Sequence, residues 1–134
     1  MKTVARALVG ALALVMLASE PSRADETREG ARLYRRYCAA CHGIGGKGDG
    51  WVAPALGVPP ADLTRLAARS GGHFPFLETI TAIDGTKTVG PHGLSEMPVW
   101  GEVFASLPNF SPERRMEARR TIILITEHLR TLQR

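Results

Sequence analysis

Residues 37–43 read YCAACHG; Cys38 and Cys41 are the only cysteines of the 134-residue chain, and His42 follows the second directly. Upstream, Gly30, Leu33, Tyr34, Tyr37 and Cys41 recur at steps of three and four. That spacing predicts a helix over Thr27 to Cys41 with one small or apolar face. Arg28, Arg32, Arg35 and Arg36 fall mostly off that face. Downstream, Gly43, Gly45, Gly46, Gly48 and Gly50 demand a loop. The two thiols and the imidazole therefore sit where a helix gives way to a glycine-rich segment.

Four chemistries use such a pair of cysteines. A structural zinc site needs four protein ligands, usually from two ligand pairs. Here there is one Cys pair, and His73, His92 and His128 show no paired spacing. A thioredoxin-type redox pair opens a helix after a strand, whereas this pair closes a helix and no strand precedes it. A disulfide is open to an exported chain but leaves His42 unexplained. Cys-x-x-Cys-His is also the attachment signature of c-type haem. One turn of chain brings both sulfurs to the two vinyl groups on one porphyrin edge, and the next residue turns its imidazole toward the iron. The haem reading accounts for all three residues and is preferred.

The chain opens MKTVARALVGALALVMLASEPSRADE. Lys2 and Arg6 precede an apolar run from Ala7 to Ala18, too short to span a bilayer comfortably. Ser22-Arg23-Ala24 then places small residues at the two positions a signal peptidase reads. This layout predicts a secretory signal peptide over residues 1–24 and a single domain over 25–134. The alternative is an uncut N-terminal anchor, the one way a membrane would enter. A domain of that size has a marginal core and usually needs a disulfide, a metal or a cofactor. Removing Lys2, Arg6, Arg23 and Glu20 takes the formal net charge from +4 to +2. So small a charge gives no case for nucleic-acid binding.

Val52 to Pro60 carries three prolines and a glycine and is expected to be extended or turning. Asp62 can cap a short helix through about Arg69. A further helix is expected over Phe74 to Ile83, with Pro75 in its first turn and Asp84-Gly85 ending it. Lys87 to Val99 reads as loop. Ser111-Pro112-Glu113 starts a helix that runs to about Leu132. Ala118, Ile122, Ile125, Leu129 and Leu132 form its buried stripe. No segment alternates long enough to make a strand, so the chain reads as all-α with long loops.

At this point the sequence resembles the class I c-type cytochromes of bacterial periplasms, over nearly all of residues 25–134. Gly30 and Tyr34 match the glycine and aromatic of that family's first helix, and CAACHG its attachment site. Gly45 to Thr64, GGKGDGWVAPALGVPPADLT, matches the glycine loop and the proline run after it. MPVWG, Met97 to Gly101, matches the segment bearing the second axial ligand. The resemblance implies a mono-haem cytochrome c fold, with crossed N- and C-terminal helices and short middle helices around one covalent haem c. It implies that the Pro54 carbonyl accepts the second ring N–H of His42. It also implies that His128-Leu129 faces Gly30, where the family usually has an aromatic before the Leu; a neutral imidazole can fill that space as a flat ring.

Iron held by His42 alone has an open face, and what fills it sets the function. Met116 lies among charged residues of the last helix, whereas Met97 lies in a Gly/Pro-rich loop and is followed by Pro98. Met97 is therefore read as the sixth ligand, against the alternative that it is merely core. His73 and His92 are minor competitors. Trp100 and Trp51 are read as haem-crevice residues, an indole N–H reaching a propionate or either ring serving as core. With both axial sites filled, the expected protein is a periplasmic, monomeric electron carrier rather than an enzyme, working with redox partner proteins of the periplasm or respiratory chain. The alternatives are a gas-binding or peroxidase-like protein with a labile or absent Met ligand, or a dedicated electron-transfer subunit of a dehydrogenase or oxidase. Arginines 28, 32, 35, 36, 114, 115, 119 and 120 offer a docking face for an acidic partner; Glu29, Glu113 and Glu117 among them support solvated helix faces equally well.

Overall fold

Ser22 starts the first helix. In the computed structural model, which describes residues 22–86, 97–106 and 112–134, α1 runs Arg23–Tyr37. The Ser22 hydroxyl accepts the Asp25 amide at 3.3 Å, and Asp25 and Glu26 place negative charge in the first turn. Apolar spacing from Thr27 misses this turn because polar residues make it and a cap fixes it. At its other end α1 stops at Tyr37 rather than reaching Cys41. Cys38 interrupts at φ −115°, ψ −34°, and α2, Ala39–His42, adds one more turn.

Asp62 caps as expected, accepting the Thr64 amide at 2.9 Å and the Thr64 hydroxyl at 2.6 Å. The segment it starts is split into a 3-10 turn, Leu63–Arg65, and α3, Leu66–Arg69. A second 3-10 turn, Ala53–Ala55, lies within the proline run. Next, α4 runs Phe76–Asp84 between Pro75 and Gly85. A helix that the spacing does not predict, α5, covers Trp100–Ala105; six residues are too few to display a helical period. Finally α6 runs Pro112–Thr131. No strand occurs among the described residues, and the all-α expectation holds.

The last helix is the spine on which the others lie. α1, α4 and α5 all pack on α6, and α4 also touches α5. Ala118, Ile122, Ile125 and Leu129 are buried as the stripe predicts, and Leu132 is half-buried. Leu124 and Thr126 are buried as well, so the C-terminal half of α6 is enclosed over more than one stripe. The Thr126 hydroxyl avoids an unpaired burial by donating to the Ile122 carbonyl at 2.8 Å.

Gly30 sets how closely α1 crosses α6. A Cβ there would overlap the Leu124 carbonyl and come within 3.2 Å of the His128 Cβ. The imidazole of His128 does stand in the crossing, but tilted by 51° against the Tyr34 ring at a centroid distance of 5.2 Å rather than stacked on it. Replacing Gly30 with Ala must push the two helices apart. The expected cost is about 1–3 kcal/mol, read as a lowered denaturation midpoint of the haem-loaded protein. An unchanged midpoint would show that the crossing does not depend on this contact.

Candidate functional site

Backbone bonds fix the turn that carries the two thiols. The Cys38 carbonyl accepts the Cys41 amide at 3.2 Å and the His42 amide at 2.9 Å. Cys38 is buried, whereas Cys41 and His42 are half-buried. Both cysteines are free thiols. Burial among Leu33, Tyr34 and Ala39, with Cys41 beside it, pushes the Cys38 thiol up to about 12.

The glycine loop then closes over this turn. A helix ends with carbonyls that have no partner in the helix itself. Here the loop supplies the partners. The Val52 amide donates to Ala40 at 3.0 Å, Gly50 to Cys41 at 3.1 Å, and Gly48 to His42 at 2.8 Å. From the other side the buried Tyr34 hydroxyl donates to the Gly43 carbonyl at 2.7 Å. The loop is itself held by the Leu63 amide, which donates to Gly46 at 2.7 Å.

His42 is oriented by the backbone of this loop. Its Nδ1 lies 3.0 Å from the Ala61 carbonyl, an acceptor only, so Nδ1 is the donor of this bond and Nε2 is the ring nitrogen left for a ligand. This corrects the expectation for Pro54, which is exposed in the 3-10 turn. The carbonyl that meets the ring comes from Ala61, where the chain presses on Gly48 through Pro60. A Cβ on Gly48 would overlap the Pro60 carbonyl, and Gly48 has φ 81°. Counting residues from His42 does not reveal which carbonyl this return brings back.

The remaining candidates divide. Met97 is half-buried and packs against the buried cluster that includes Cys38 and Tyr34. Trp100, the first residue of α5, is half-buried with its ring 5.6 Å from Tyr37 and 5.3 Å from Phe104; Tyr37 directly precedes Cys38. Trp51 is 83% exposed, and its neighbours Gly50 and Val52 are both bonded to the α2 turn. Met116 is 72% exposed, as its charged surroundings predict. His73 is exposed on a hollow of about 400 Å³ beside Phe74, Pro75 and Glu78. His92 lies outside the described residues. Among the described residues no group of three or more His, Cys, Asp or Glu side chains is placed to hold a metal ion.

One contribution had no motif. The Gln133 side chain donates to the carbonyls of Leu63 (2.9 Å) and Leu129 (2.7 Å) and accepts the Ala67 amide (2.9 Å). The Arg134 amide adds a bond to Thr64 at 3.0 Å. The end of the chain is thus tied to the segment whose start at Ala61 faces His42. A lone Gln announces nothing of this in sequence.

These donors suit a c-type haem: two free thiols one turn apart, followed at once by an imidazole whose Nδ1 is already engaged. The family Cytochrome C oxidase, cbb3-type, subunit III matches residues 25–106. The chain belongs to this family. It is a c-type cytochrome domain, and its cofactor is a covalently attached c-type haem with iron. No curated protein and no solved structure matches it. The matched stretch of this cytochrome contains Cys38, Cys41, His42, Met97 and Trp100 and stops before α6.

The arginines of the cytochrome domain are partly spoken for within their own helices. Arg28 pairs with Asp25 at 2.9 Å and Arg32 with Glu29 at 2.6 Å, both exposed i,i+3 pairs. The Arg36 guanidinium lies 5.3 Å from the centre of the Tyr37 ring. This favours solvated faces on α1 over a concentrated docking patch. Among the described residues no helix is long and apolar enough to cross a membrane.

Gly48→Ala tests the loop. It adds a side chain at a positive φ and against the Pro60 carbonyl, which must move the segment that faces His42. The expected loss is about 1–3 kcal/mol from crowding alone, measured by denaturant unfolding of the haem-loaded protein. Wild-type stability in this variant would contradict the described approach.

Proposed function

We propose that this cytochrome domain is an electron carrier rather than an enzyme, with Cys38 and Cys41 as the attachment residues and His42 and Met97 as the axial ligands. The observation that carries the reading is the bond between His42 Nδ1 and the Ala61 carbonyl, which leaves Nε2 free. Haem supplies a one-electron centre that the polypeptide lacks. Two thioether bonds from Cys38 and Cys41 would keep it on the chain in both redox states. His42, held through Ala61, would be a more basic ligand and would keep its ring plane. Met97, already against the cluster that holds Cys38, would present a thioether, which favours the reduced state and raises the potential. With His42 and Met97 both holding the iron, no position would remain for a substrate.

The setting proposed is the periplasmic side of a respiratory chain. The leader-like residues 1–24 support export, and the family's description as an oxidase subunit supports a respiratory redox partner. Cleavage after Ala24 would remove Ser22 and with it the cap of α1, leaving a new α-amino group at the helix start. Service as a fixed subunit of an oxidase is the second reading, favoured by the same family description.

Met97→Ala decides between a carrier and a gas-binding protein. The ferric wild type should show the weak near-infrared sulfur-to-iron charge-transfer band, and the variant should lose it. The reduced variant should bind carbon monoxide readily, and the reduced wild type should not. Equal carbon monoxide binding by both would replace the carrier reading with the gas-binding one. Replacing both Cys38 and Cys41 with Ala should leave haem that acid-acetone extracts; retention would contradict the attachment.

A further inference from the structure

We propose that His128 is a positioning residue for His42 and acts through Tyr34. While neutral, the imidazole keeps Tyr34 where its phenol holds the Gly43 carbonyl; protonation at the helix crossing loosens that hold. This role rests on His42 being the axial ligand proposed above.

Three contacts make the path continuous. The His128 Cβ lies where a Cβ on Gly30 would come within 3.2 Å of it, and the His128 ring stands 5.2 Å from the Tyr34 ring. Tyr34 is fully buried, and its hydroxyl reaches the Gly43 carbonyl at 2.7 Å. Gly43 directly follows His42, and its carbonyl also accepts the Gly46 amide at 3.1 Å. Gly46 closes the space near the phenol, since a Cβ there would stand 3.6 Å from the Tyr34 oxygen.

The crossing has no answer for a second proton on His128. Its Nδ1 is buried and has no hydrogen-bond partner among the described residues. Either neutral tautomer tolerates this better than a cation would. Arg35 on α1 adds repulsion. The other charges near the pair do not offset it. Asp49 of the glycine loop acts on Tyr34, and Glu127 on α6 is engaged by Arg130 at 2.8 Å. Tyr34 stays neutral because burial raises its phenol further. Burial first, and Arg35 second, hold the His128 imidazole below its ordinary value of about 6.5. The sign follows. The folded state disfavours the proton, so this stabilisation is complete above about pH 6.5 and is lost as the pH falls through that value toward the folded one.

The test compares haem-loaded wild type with His128→Phe, which keeps a flat ring without a titrating nitrogen. Tyr34→Phe keeps the ring but loses the bond to Gly43. Thermal midpoint and reduction potential are followed between about pH 5 and 8. The wild-type midpoint should fall relative to His128→Phe as the pH drops below about 6.5, and the wild-type potential should shift at the lower pH where the folded protein itself takes up the proton. His128→Phe should lose both dependences, whereas Tyr34→Phe should lose only that of the potential. His128→Gln serves if the Phe variant does not fold. Identical profiles for wild type and the His128 variant would overturn the role. So would a stability profile that depends on His128 beside a potential profile that does not. Failure of Met97 as a ligand would leave these comparisons intact, because neither variant touches that side of the iron.

Discussion

Three loop amides meeting three helix-end carbonyls place everything that matters in this domain. The carbonyls of Ala40, Cys41 and His42 would otherwise end α2 without partners. Val52, Gly50 and Gly48 satisfy them in descending order as the loop runs back along the turn. The approach is so close that a Cβ on Gly50 would overlap the Ala40 carbonyl and come within 2.5 Å of that of Cys41. Because the backbone is satisfied by backbone, the side chains of Cys38, Cys41 and His42 are left for a ligand. The same loop returns Ala61 to His42 and so fixes which ring nitrogen is available.

The rest of the fold keeps that arrangement in place with modest means. The described buried core is a short set of side chains between α1, α4, α5 and α6. It includes Cys38 itself, so the attachment turn is part of the core rather than an appendage to it. Gly30 lets α1 and α6 approach, and Gln133 and Arg134 draw the end of α6 onto the segment after Ala61. Such a small core suits a covalently attached haem, which would add buried apolar surface to it.

Much of this was legible in the residues. Asp62, Pro75 and Gly85 punctuate helices where their backbone preferences require it, and the stripe on α6 is buried as its spacing implies. The turn at 38–42 was legible because thiols and imidazole are rare and their spacing carries a chemical reason. What stayed hidden was carried by backbone or by single polar side chains. Ala61 rather than Pro54 meets His42 because the loop turns back at Gly48, and a carbonyl has no sequence signature. α5 is too short to show a period.

Function follows from restraint. In the proposed carrier, a turn that fixes its imidazole through a backbone carbonyl and a thioether packed against the buried cluster would suit an iron that changes charge without changing partners. The most direct measurement is the intact mass of the denatured protein, purified from a host able to attach haem, before and after treatment with a thiol-alkylating reagent. The account predicts one haem added to the chain and no alkylation at Cys38 or Cys41. A mass of bare polypeptide that gains two alkyl groups would contradict it.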